Sequence, residues 1–216
     1  MIDSRHGNRG PRREYHHKKL RSARSAGTGY THVGEPARVT IRVYNNASIP
    51  AQLLAGAIEQ ASRIFLKAGL QTQWLECSIG VIGVERAPDC EAPFGPTHLA
   101  LRIVPRSWAN GDATFGIAFL YAEGKGVYCN VFHSSVEKLH TDWHASIPPI
   151  LGHVMAHEVG HLLLGTHAHS QIGIMLPGWH GSELRSLTMG RLLFTPQQAR
   201  AVREKLFSAN VLTNDD

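Results

Sequence analysis

The chain has 216 residues, 43% of them hydrophobic, and a formal net charge of +5. That length and apolar content fit one folded domain with an appendage and exclude a wholly disordered chain. No apolar run approaches the roughly 18–20 residues of a helical membrane span, and the charged N-terminus as written shows no apolar signal-peptide core, so a secreted or periplasmic location requires a leader not included in this sequence.

The positive charge is confined to one end. Residues 1–38 hold nine Lys or Arg against three acids, a surplus of +6, which leaves −1 for the other 178 residues. Residues 1–37 lack hydrophobic periodicity and are rich in Arg, Ser, Gly and His, which reads as a disordered basic extension. A basic tail suits nucleic acid or an anionic membrane, but a solvated extension or a mis-called start explains it better, and no clear nucleic-acid or membrane partner follows. Residues 38–210 then form the folded domain.

Val39 to Tyr44 alternates with period two and is β-branched, predicting a strand. Ser48 and Pro50 open a helix to about Lys67, with Leu53, Leu54, Ala57, Ile58, Ala61, Ile64 and Phe65 on its buried side and Gly69 ending it. Leu70 to Glu76 is a second strand, a Pro- and Gly-rich loop follows to about Thr97, and His98 to Val104 is a third. After a turn-rich stretch over 105–113, Phe115–Tyr121 and Val127–Phe132 read as a hairpin around Glu123 to Gly126. Ser146 starts a helix with Pro148 and Pro149 in its first turn, which continues through Leu164 to a stop at Gly165. Thr195-Pro196-Gln-Gln198 has capping-box spacing and opens a last helix to about Phe207. This order is that of an α/β (α+β) domain whose sheet packs against two large helices.

Three cysteines are too few for a disulfide scaffold. Cys77 and Cys90 bracket a Gly- and Pro-containing stretch, a placement suited to a loop-closing disulfide in an exported protein. Cys129 falls in a strand-like run and reads as a small buried hydrophobe.

The chemistry concentrates in residues 157 to 161, His-Glu-Val-Gly-His, inside the long apolar helix. At 100° per residue the two histidines lie about 40° apart and one turn apart, so both imidazoles reach one metal ion. Glu158 is offset by about 100°, a position suited to a general base. Met155, Val159 and Leu162 fall on the opposite, structural side. His153 shares the histidine face but lies about 12 Å along the axis from His161, so it reads as a packing residue. A catalytic zinc takes three protein ligands, and His167 and His169, both beyond Gly165, compete for the third position. Asp142, His144 and His140 read as loop polarity rather than a second metal site. Ser134-Ser135 lacks a nucleophile-elbow context, and no phosphate-binding Gly-rich loop is present.

His157-Glu-Val-Gly-His161, Gly165, a following histidine and Ile174-Met175 resemble the metzincin family of zinc peptidases. The metzincin pattern places its glycine three residues after the second histidine, which here is Leu164; the glycine comes one residue later. Its third histidine falls on His167. The chain is also similar to short bacterial zincin-like proteins of the form H-E-x-G-H-L-L-L-G, then His-Ser, then Gly-Ile-Met. On that comparison His169 is the third ligand and His167 a variable neighbour, and the reading leans to His169. The resemblance implies a metzincin-like zincin fold: a twisted mixed sheet on two long helices plus a C-terminal helix. It also implies Zn2+, Glu158 as general base, Met175 in a turn beneath the site, and endopeptidase action on a peptide or protein substrate. An edge strand that pairs with substrate then falls on Phe115–Phe119, and residues 176–194 with Trp179 wall a specificity pocket. Two other readings stand beside it: a catalytically inactive zincin-fold binding protein, and a nucleic-acid-associated protein working through the basic tail.

Overall fold

The computed structural model describes residues 37–77, 88–106 and 114–211. The disordered extension expected before residue 37 lies outside them. Three strands that pair in parallel come first, the first two joined by a helix: β1 (Ala37–Asn45), α1 (Ala51–Lys67), β2 (Leu70–Glu76) and β3 (His98–Val104). β4 (Gly116–Phe119), β5 (Tyr128–Phe132), α2 (His133–Trp143), α3 (Ile147–Leu164), α4 (Gly181–Thr188) and α5 (Pro196–Val211) follow. The sheet order is β2-β1-β3-β5-β4. All pairs are parallel except β4 with β5, so β4 is an antiparallel edge strand. The mixed α/β class expected from the sequence is the class observed.

Period two places Val39, Ile41 and Val43 of β1 on the same face as Leu101 and Ile103 of β3 and Val131 of β5, and all are fully buried. That face packs on α1 and α3, which also pack on each other. The approach is close: a methyl group at Gly152 of α3 would lie 2.6 Å from the Ala57 carbonyl oxygen of α1. On the opposite face the buried Arg42 guanidinium donates to the carbonyls of Ala92 (2.7 Å), Pro93 (3.3 Å) and Cys90 (3.4 Å) and stacks over Phe94. Those carbonyls supply the hydrogen bonds that a buried charge requires. Cys77 and Cys90, at the start of that loop, form a disulfide. Cys129 is buried and free.

Two expectations need correction. His140 and Asp142, read as loop polarity, lie within α2, which spans residues 133–143 and has His144 at its C-cap. Only Val136 and Leu139 of its apolar residues are buried, and Phe132 at the N-cap offers no side-chain cap, so neither periodicity nor a start signal was strong. Residues 176–194, read as one irregular wall, contain α4, anchored by Leu184 and Leu187. In α3, Met155, Val159 and Leu162 are buried as expected, and burial extends to every residue from Ile150 to Leu163, because other helices and the sheet surround the helix. The last helix opens as the capping box predicts, with Thr195 and Gln198 exchanging backbone-to-side-chain bonds at 2.9 and 3.3 Å, but runs four residues further, to Val211.

Candidate metal centre and active site

α3 carries the first part of the site. It ends on Gly165, whose φ of 68° and ψ of 34° are left-handed, and the Gly165 N–H closes the last turn on the His161 carbonyl at 2.9 Å. This turn sends the chain back across the helix, so that one ligand atom each from His157, His161 and His169 lie within 4.8 Å of one another. His157 and His161 are buried, whereas His169 is exposed and opens the group to solvent. It is the one such group of three or more potential ligands among the described residues. His167 is not part of it: its ring lies 6.5 Å from that of His161, against 4.9 Å for His169. His153 turns away and bonds through Nδ1 to the Pro149 carbonyl at 2.7 Å. His140 likewise bonds to the Ala145 carbonyl and Asp142 pairs with Lys138, so the residues before α3 do not gather into a second metal group.

The donor set can be tested against a cation by its hydrogen bonds. His157 Nδ1 lies 2.8 Å from the Ile174 carbonyl, and His161 Nδ1 lies 2.8 Å from the Thr166 carbonyl. A carbonyl only accepts, so each Nδ1 carries the proton and each Nε2 presents a lone pair. The two Nε2 atoms face one another at 3.1 Å. Burial holds His157 far below the ordinary imidazole range, at about 3, and also lowers His161 and His169, so protonation does not relieve the clash of lone pairs. A divalent ion shared by neutral imidazoles does. The residues fit zinc.

Two glycines shape the surroundings. A methyl group at Gly160 would sit 2.8 Å from Met175 Sδ and from the Phe194 ring, so the bare backbone there lets the fully buried Met175 pack directly under α3. Met175 is held by its carbonyl, which accepts from the Ser170 N–H at 2.8 Å, while the Ile174 N–H donates to Leu193 at 2.9 Å. Gly116, at the start of β4, is the floor against which Glu158 rests: a methyl group there would collide with the Asn130 carbonyl and lie 2.7 Å from Glu158 Cδ. The Glu158 carboxyl is buried and, with no counter-charge at hand, is pushed up to about 8 by desolvation.

The cleft of about 220 Å³ that holds Glu158 and the histidines is therefore bounded by the edge strand, with Gly116 and Ile117 on its lip. Sequence reasoning found the edge strand but not why it begins on glycine. It also missed the ring stack behind the site. Phe115 stacks on Trp179 at 4.6 Å, and both meet His157 edge-on at 6.4 and 5.8 Å. Trp179 is only 1% exposed, so it is a floor rather than a mobile wall. The aromatic character of both residues was the available signal; their pairing is set by tertiary packing.

No family model and no curated protein matches the chain. Solved structures do. The chain is similar to a zinc-dependent peptidase from Methanocorpusculum labreanum strain Z, with 16% identity over 75% of this chain and 99% of that one and a TM-score of 0.48. It is similar to archaemetzincin from Methanopyrus kandleri, with 12% identity over 81% of this chain and 99% of that one and a TM-score of 0.49. Metalloproteinase-II from Bacteroides fragilis gives 12% identity over 81% of this chain and a TM-score of 0.51. The chain spans 55% of that protein's length. At such identity the likeness concerns the fold alone: the chain has the mixed sheet and helix arrangement of zincin-like metallopeptidases.

Proposed function

We propose that this chain is a zinc-dependent endopeptidase in which His157, His161 and His169 hold the ion and Glu158 is the general base. The observation that carries the reading is the convergence of three imidazole nitrogens within 4.8 Å of one another beside the buried Glu158 carboxyl group, in a cleft bounded by a sheet edge. Zinc held there supplies a Lewis acid that polarises the substrate carbonyl and makes water a usable nucleophile at neutral pH.

The protein's own contribution is orientation and proton transfer. The carbonyls of Ile174 and Thr166 fix the tautomer and ring plane of His157 and His161. Glu158 takes the proton of the attacking water and hands it to the leaving amide nitrogen. Contact with Gly116 holds that carboxylate at the cleft floor. The backbone groups of β4 not bonded to β5 pair with an extended peptide and bring its carbonyl over the site. Met175 is an apolar support beneath the histidines, and His167 stands beside the ligands without joining them.

Zymography on unfolded protein substrates, with Glu158→Gln as control, tests the reading. Proteolysis by the wild-type chain, lost in Glu158→Gln with zinc retained, is expected. A zinc-loaded wild-type chain that cleaves none of several unfolded substrates contradicts it and favours a zincin-fold binding protein.

A further inference from the structure

α5 meets the C-terminal ends of both core helices with a cation. The Arg203 guanidinium donates to the Ala68 carbonyl at 2.6 Å, where α1 gives way to the left-handed Gly69. Lys205 Nζ donates at 3.1 Å to the carbonyl of Leu162, in the last turn of α3. At 100° per residue the two side chains leave α5 about 200° apart, and so serve different helix ends. The last carbonyls of a helix lack partners within it, and the negative end of the helix dipole favours a positive charge there.

Lys205 differs from Arg203 in what else it holds. Its ammonium also donates to the Gly124 carbonyl at 3.1 Å, in the loop that joins β4 to β5. Gly124 and Gly165 press backbone to backbone beside it. A methyl group on Gly124 would lie 2.4 Å from the Gly165 carbonyl oxygen, and one on Gly165 would lie 2.6 Å from that of Gly124. Among the described residues no backbone hydrogen bond joins this loop to the Gly165 turn, so the lysine supplies the polar link across the contact. The contact partly desolvates the ammonium and lowers its pKa from the ordinary lysine value.

Each side of the contact leads to a different part of the site. Beyond Gly165 the Thr166 carbonyl holds His161 Nδ1 at 2.8 Å, and the chain goes on to His169. Before Gly124 lies β4, which starts against Glu158 at Gly116 and carries the free edge of the sheet. The hairpin is thus seated on α3 twice, by packing at Gly116 and through Lys205 at Gly124. We propose that Lys205 is a positioning residue that ties the peptide-binding hairpin to the turn carrying the third ligand, so that one ammonium sets both zinc affinity and peptide affinity. The proposal rests on the peptidase reading for what each side binds. Without the ammonium the Leu162 and Gly124 carbonyls face one another with no donor between them, and water drawn to them parts the turn from the loop.

The test uses the full chain in the Glu158→Gln background, where nothing is turned over. Zinc affinity is measured by competition with a chelating dye, and peptide affinity by polarisation of fluorescein-labelled unfolded casein on the zinc-loaded chain. Lys205→Met keeps the aliphatic stem and is expected to weaken both by about threefold or more, the scale of one net hydrogen bond. Lys205→Arg, which restores a charged donor, is expected to bring both back to near the parent values. Arg203→Met removes the matching bond at the end of α1 and is expected to lower the melting temperature with both affinities unchanged. Gly124→Ala forces the same contact apart from the hairpin side; it too is expected to weaken both, and it replaces Lys205→Met should that variant not fold. A Lys205→Met chain that melts lower but keeps both affinities, or loses only one of them, overturns the proposal. An equal weakening in Arg203→Met overturns it as well. Failure of the wild-type chain to cleave any substrate overturns the peptidase reading alone, because these affinities are read without turnover.

Discussion

Replacing Gly116 by alanine separates the geometry of this site from its chemistry. An alanine in a strand is ordinarily favoured over glycine by up to about 0.5–1 kcal/mol, through the entropy of the unfolded chain. Here the added methyl meets the Asn130 carbonyl and stands 2.7 Å from both Cγ and Cδ of Glu158. The carbonyl belongs to β5, flanked by β3 and β4, and cannot yield without breaking the ladder. Overpacking of this kind costs about 1–3 kcal/mol, which outweighs the entropic gain and leaves a net loss of about 1–2 kcal/mol. For a domain of this size that lowers the melting temperature by roughly 2–8 °C. The functional loss is expected to be larger, because Glu158 is displaced, and misplacing a reacting group by an ångström costs on the order of a hundredfold. Gly116→Ala is thus expected to keep its zinc, melt a few degrees lower and lose at least tenfold in kcat/KM. The assays are metal analysis, differential scanning calorimetry and peptide hydrolysis on one preparation. A variant as stable and as active as wild type refutes the claim that this glycine sets the position of Glu158.

Two further outcomes follow from buried groups away from the ligands. His153 is buried and held at about 4, below its ordinary value of 6.5, by desolvation. The unfolded chain then binds the proton more tightly between those values, so this contribution is fully present above pH 6.5 and is lost as pH falls toward 4. The loss amounts to about 3 kcal/mol. Urea unfolding at pH 7 and pH 4.5 checks this: His153→Met should lose less stability between the two than wild type, and an equal loss contradicts the assignment. The Cys77–Cys90 bridge spans 13 residues of sequence, a loop whose closure stabilises by about 3 kcal/mol. The Cys77→Ser, Cys90→Ser double variant should show that loss in denaturant titration while retaining zinc, since neither cysteine belongs to the histidine group. Unchanged stability contradicts it.

What the sequence made legible follows from where its signals were local. The period-two run of β1, the buried stripe of α1, the glycine after α3 and the Thr195–Gln198 box each depend on a few neighbouring residues, and each element forms where they indicate. α2 and α4 were not legible, because each has few buried apolar residues and neither begins on a residue that usually caps a helix. The cleft floor at Gly116 and the stack behind His157 depend on residues brought together from β4, α3 and the segment before α4, which no local pattern encodes. The competition between His167 and His169 was open for a related reason. Beyond the left-handed Gly165 the chain is irregular, so no periodicity decides which imidazole turns back. In the folded chain the turn held by the Thr166, Ser170 and Met175 backbone brings His169 to the group and leaves His167 beside it.

The ligand assignment itself is tested most directly by zinc stoichiometry in four single variants of the full chain: His157→Ala, His161→Ala, His167→Ala and His169→Ala. The account predicts about one zinc per chain in His167→Ala, as in wild type, and loss of the ion in the other three. Retention in His169→Ala with loss in His167→Ala would move the third ligand, and retention in all four would contradict the site altogether.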